Sequence, residues 1–120
     1  MAKSTRTPLQ QFMAQSLKMA RRRDAEKGWA VDETVNVDYL VGLYYGQKGL
    51  CAHTGEEMTL ERGLIDGTPC FTLCTLERIN NDKGYTVDNI MFACYGINIM
   101  RGNMPLKQFR ALCKRIGMVA

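Results

Sequence analysis

The stretch LERINNDKGYTVDNIMFACYGIN, from Leu76 to Asn98, carries the reading of the whole chain. A short apolar run ends in Glu77-Arg78, and Asn80-Asn81-Asp82-Lys83-Gly84 follows as turn chemistry. After Asp88-Asn89 a second apolar run begins, and the stretch closes on Asn98. Runs rich in β-formers on either side of a polar turn predict a hairpin, with CFTLCTLERI (70–79) as one strand and NIMFA (89–93) as the other. Residues 94–101 suit a short helix directly after it. On a strand, neighbours point to opposite faces, so Glu77 and Arg78 are expected on different sides. A helix packed across the hairpin would let Asn98 face a side chain of the first strand. Glu77 and Asn98 would then offer a carboxylate and an amide oxygen, hard ligands of the kind Mg²⁺ takes while keeping its waters.

Outside the hairpin the pattern is helical. Thr7-Pro8 reads as an N-cap with proline at the first helical position. Leu9, Phe12, Met13, Leu17 and Ala20 recur at helical spacing, which predicts a helix from Pro8 to about Lys27, stopped by Gly28. Arg21-Arg22-Arg23 lies near its C-terminal end, where cations are favoured. A connector over residues 29–37 leads to a second helix starting near Asp38, with Val37, Leu40, Val41 and Tyr44 as its buried face, ending around Gly46–Gly49. A turn-like segment around Thr54-Gly55 and a loop over 63–69 precede the hairpin. Asn103-Met104-Pro105 opens a last helix to about Ile116, with Leu106, Phe109, Leu112, Cys113 and Ile116 on one face. The expected class is α+β, a central hairpin flanked by helices. A lone hairpin is marginal in water, so the helices must cover it.

Bulk properties narrow the function. A chain of 120 residues suits one modest core. No apolar run is long enough for a membrane span, and the N-terminal MAKSTRTPLQQ lacks the apolar stretch of a secretory signal. With five cysteines, no CxxC pair and no such signal, reduced thiols in a cytoplasmic compartment are the simpler reading, and a zinc site is not expected. The net charge is +4 and uneven. Lys3, Arg6, Lys18, Arg21, Arg22, Arg23 and Lys27 crowd one end, and Arg101, Lys107, Arg110, Lys114 and Arg115 the other, while acids concentrate between them. Basic ends around an acidic centre fit a nucleic-acid binder with a metal site, or equally a solvated surface.

Taken in order, these elements resemble the His-Asn-His (HNH) endonucleases, the ββα-metal fold, and in particular a branch common among small phage proteins. The resembling elements are Cys51-Ala52-His53-Thr54-Gly55, then Glu77-Arg78-Ile79, Gly84-Tyr85-Thr86 and Asp88-Asn89-Ile90, then Cys94 and Asn98 followed by Arg101. The resemblance spans Lys48 to Phe109, and residues 1–40 lie outside it. It implies a basic helical extension over 1–47 and an HNH-like ββα domain over 48–120. It also implies metal ligands at Glu77 and Asn98, a loop-tying asparagine at Asn89, Mg²⁺ or Mn²⁺ as cofactor and DNA as partner, in a host cytoplasm if the protein is phage-encoded. Arg21, Arg22, Arg23, Lys83, Arg101 and Lys107 are the candidate DNA contacts.

The family's water-activating histidine is replaced by Arg78, which stays protonated and is a poor base, though it can hold a phosphate oxygen or stabilise transition-state charge. His53, the only histidine, is a candidate replacement base or a turn residue. Thr54 and Ile97 stand where the family's zinc knuckles have their partner cysteines, leaving Cys51 and Cys94 to pack as small apolar residues or to join His53 and Cys70 or Cys74 around a metal. Two further readings compete with the nuclease. One is a non-catalytic protein on the same scaffold, binding nucleic acid or a host protein. The other is a basic helical DNA-binding module without a hairpin. Oligomeric state is not legible.

Overall fold

The computed structural model describes residues 5–119, so Lys3 lies outside the described residues. The chain runs α1 (Pro8–Glu26), α2 (Val37–Gly46), β1 (Leu64–Ile65), β2 (Thr68–Pro69), β3 (Cys74–Arg78), β4 (Ile90–Cys94), α3 (Tyr95–Arg101) and α4 (Leu106–Val119). It is α+β, with four helices and two small antiparallel sheets among the described residues. No helix among them is long and apolar enough to cross a membrane.

The helix starts follow from their caps. Thr7 and Gln10 form a reciprocal capping box in front of Pro8, and Asn36 accepts from Tyr39 N to start α2. The apolar stripe of α1 faces inward as expected, with Phe12, Met13, Leu17 and Ala20 buried. These join Leu40, Leu76, Tyr85, Phe92, Ala93, Ile97 and Phe109 in one buried cluster, so the N-terminal helices and the hairpin share a core. In α4 only Phe109 of the expected face is buried, and Ile116 is exposed.

Strands β3 and β4 pair antiparallel, with Cys74 opposite Cys94, Leu76 opposite Phe92 and Arg78 opposite Ile90. Helix α3 begins immediately after β4 and packs on both strands. This hairpin and its helix exclude the purely helical module. Two local expectations need correction. The first strand starts at Cys74 rather than Cys70, because Leu73 N bonds back to Cys70 O and closes a turn. The loop expected over 63–69 holds the β1–β2 hairpin instead. Its turn is Asp66-Gly67, both at positive φ, the Asp-Gly signature of a two-residue hairpin turn.

The long β3–β4 loop is anchored from the N-terminal segment. Asp24 of α1 accepts from Tyr85 N, Asp32 accepts from Val87 N at 3.1 Å, and the Tyr39 hydroxyl donates to Val87 O at 2.6 Å. Gly84 is required by this approach, since a Cβ there would lie 2.9 Å from Asp24 Oδ1.

Candidate functional site

Helix α3 lies across β3 so that Asn98 and Arg101, one turn apart, meet Thr75 and Glu77, which share one strand face. Asn98 Nδ2 donates to Thr75 Oγ1 at 3.2 Å. The charged pair on this face is Arg101–Glu77: Arg101 Nη1 donates to Glu77 Oε1 at 2.6 Å. The facing of Asn98 toward β3 is as expected, but its bonded partner is Thr75.

Glu77 is 2% exposed, and His53 Nε2 lies 2.8 and 3.0 Å from its two oxygens. Arg101 is 3% exposed and also donates to Arg78 O, Ile79 O and Met104 O. Arg101 was expected as a DNA contact. Burial and these four acceptors commit it to the interior instead. Burial is the largest single influence on the Glu77 pKa and raises it, but the hydrogen bonds and charges of His53 and Arg101 outweigh it, so the net pKa is below the usual carboxylate range.

Arg78, next in sequence, has different surroundings. Its guanidinium carbon lies 5.2 Å from the Trp29 ring and 5.4 Å from the Tyr85 ring, and Nη1 donates to Asn81 O and Lys83 O. Behind it, Asp24 is buried; burial raises its pKa, partly opposed by the Tyr85 N–H and the Arg78 charge. Asn89 ties the loop: its Oδ1 accepts from Asn80 N at 2.8 Å, and its Nδ2 donates to Asn80 O and Gly84 O, both at 2.9 Å.

A cleft of about 260 Å³ is lined by Glu77, Arg78 and Asn98 together with Arg23, Asn81 and Tyr85. Arg23 donates to the Tyr85 hydroxyl at 3.1 Å. His53 touches Glu77 but lines a separate cleft with Ile97, Phe109 and Cys113, its ring edge-on to Phe109. His53 and Arg78 therefore flank Glu77 without sharing a cavity. Arg22, Lys83 and Lys107 are exposed, while Arg21 is drawn to Val35 O and lies 3.9 Å from Glu33.

The cysteines are free thiols, and Cys94 N donates to Cys51 Sγ at 3.3 Å. Burial pushes Cys74 and Cys94 up to about 12. Among the described residues no group of three or more His, Cys, Asp and Glu side chains is placed to hold a metal ion, so the Cys/His site considered from sequence is not assembled.

Sequence reasoning missed Trp29, Asp24 and Thr75, and named Tyr85 only as part of a loop element without a place in the site. Asp24 and Trp29 lie far from the hairpin in sequence, and no spacing rule links them to Arg78. Thr75 was legible only as a strand residue, two positions before Glu77.

No family model matches the chain, and neither a curated protein nor a solved structure matches it.

Proposed function

We propose that this chain is a metal-dependent nuclease of HNH type that hydrolyses phosphodiester bonds in DNA. The observation that carries this reading is the single cleft shared by Glu77, Arg78 and Asn98, with Arg23 at its wall. The strand–strand–helix order and the Asn89 loop tie support it.

The donor set fits a hard divalent cation in kind. A carboxylate offers about four lone-pair sites, so Glu77 keeps acceptor capacity beside His53 and Arg101. Among the described residues no donor is bonded to the Asn98 amide oxygen. Glu77 and Asn98 would hold Mg²⁺ or Mn²⁺, which when bound supplies a Lewis acid and a water of lowered pKa. Arg78 cannot take a proton from water. Held by its aromatic and carbonyl neighbours, it is suited to grip a phosphate oxygen and to stabilise charge as it develops there. Arg23 adds a second cation on the α1 side. His53 orients Glu77 from the opposite side, its Nε2 within hydrogen-bond reach of both carboxylate oxygens.

One observation favours the alternative, a protein of the same scaffold that binds nucleic acid or a host protein without catalysis. Glu77 is already paired with a buried arginine 2.6 Å away, whose charge opposes a second cation at the same carboxylate. Supercoiled-plasmid nicking decides between them. For the enzyme, nicking appears with Mg²⁺ or Mn²⁺ and is lost in Asn98→Ala, whose single hydrogen bond makes it a milder change than any at Glu77. Pure protein that retains DNA but nicks nothing under either metal establishes the alternative.

A further inference from the structure

Trp29 is the only tryptophan in the chain and stands just beyond α1, partly exposed. It lines a cleft of about 280 Å³ with Arg23, Asp24, Glu26, Lys27 and Arg78. This cleft shares Arg23 and Arg78 with the one that holds Glu77 and Asn98. Two cations therefore line both cavities, and an indole lines only one of them.

We propose that the cleft at Trp29 binds one nucleobase of single-stranded DNA, with the adjoining phosphate between Arg23 and Arg78. Its size falls just below the range of ligand cavities, about 300–1,000 Å³, and suits one planar base better than a larger group. Indole rings and guanidinium planes are the side chains on which bases stack, and both line this cleft. Arg23, Lys27 and Arg78 line the cavity beside Glu26 and the buried Asp24, so the base lies next to cations that can take its adjoining phosphate. In a duplex every base face is already stacked, so only an unpaired or frayed strand can supply the ring. This inference rests on the nuclease reading of the neighbouring cleft. It adds that the substrate is unpaired next to the cleaved bond, and that residues before the hairpin select it.

The lone indole reports on its own site. The full chain is titrated with short oligo-dT in EDTA, following indole fluorescence, while the anisotropy of a labelled strand follows binding. Quenching that saturates together with the anisotropy, and is missing with a blunt duplex, is the expected result. Trp29→Ala should weaken single-strand binding roughly tenfold, and Trp29→Phe much less. Single strands that bind without quenching, or equal affinity in a folded Trp29→Ala, overturn the proposal, as does an absence of single-strand binding. The wild-type titration needs no variant, so misfolding of Trp29→Ala does not protect the idea. Plasmid nicking without quenching overturns the base site alone. Quenching without nicking under any metal overturns the nuclease alone.

Discussion

Glu77 and Arg78 are neighbours on β3, yet their charges are handled in opposite ways. Glu77 is held between His53 and a buried arginine whose remaining hydrogen bonds go to backbone carbonyls. Among the described residues no carboxylate is in hydrogen-bond contact with Arg78; aromatic rings and carbonyl oxygens hold it, and it lines two clefts. On the reading proposed above, the open side is the one that would meet phosphate, while the closed side holds Glu77 in place. In many folds a buried ion pair is replaceable by apolar residues, but removing one partner strands the other charge.

The closed side is where a single change should cost most. Arg101→Ala leaves Glu77 buried beside His53 alone and three carbonyls short of a donor, and should destabilise by about 3–5 kcal/mol in urea unfolding. A loss near zero would mean that Glu77 is hydrated and that the two sides are alike. Asn89→Ala removes the ties to Asn80 and Gly84 and should cost about 2–3 kcal/mol, with faster hydrogen exchange through the β3–β4 loop.

Acid titration sharpens the contrast further. The folded-state pKa of Glu77 is depressed, so its contribution is complete above the unfolded value, about 4.3, and is lost as the pH falls through the folded value. Asp24 has a raised pKa, so its ionisation works against the fold as the pH rises from its unfolded value through the folded one. Urea midpoints followed against pH should therefore change slope in opposite directions for Glu77→Gln and Asp24→Asn. Equal slopes would remove the electrostatic difference between the two faces.

The smallest stability effect is expected on the open side. Arg78→Lys keeps the charge but loses the planar fork and its stacking, costing under about 1 kcal/mol of stability while weakening DNA retention severalfold. A large stability loss with unchanged DNA binding would make Arg78 a structural residue.

Much of the scaffold was legible. Capping residues, the stripe on α1 and the β-rich runs around a polar turn each carry their own local signal. The β1–β2 hairpin had a signal as well, in Asp66-Gly67, which was read only as a loop. Among the site residues, Glu77, Arg78, Asn89 and Asn98 stood out by their order. What could not be read was which of them touch. Arg101 looked like a surface cation because charge at a basic helix end is ambiguous between solvent and interior.

The sequence by itself determined the helices, the central hairpin and the short helix after it, because periodicity, caps and turn residues act over a few positions. It also determined that an acid and an arginine sit side by side at the strand end. The tertiary structure alone decided their fates. Packing α3 on the hairpin gave Glu77 to Arg101 and Asn98 to Thr75, and folding α1 back over the loop brought Asp24, Arg23 and Trp29 around Arg78. These are contacts between residues far apart in the chain, fixed by how the shared core packs rather than by any local preference.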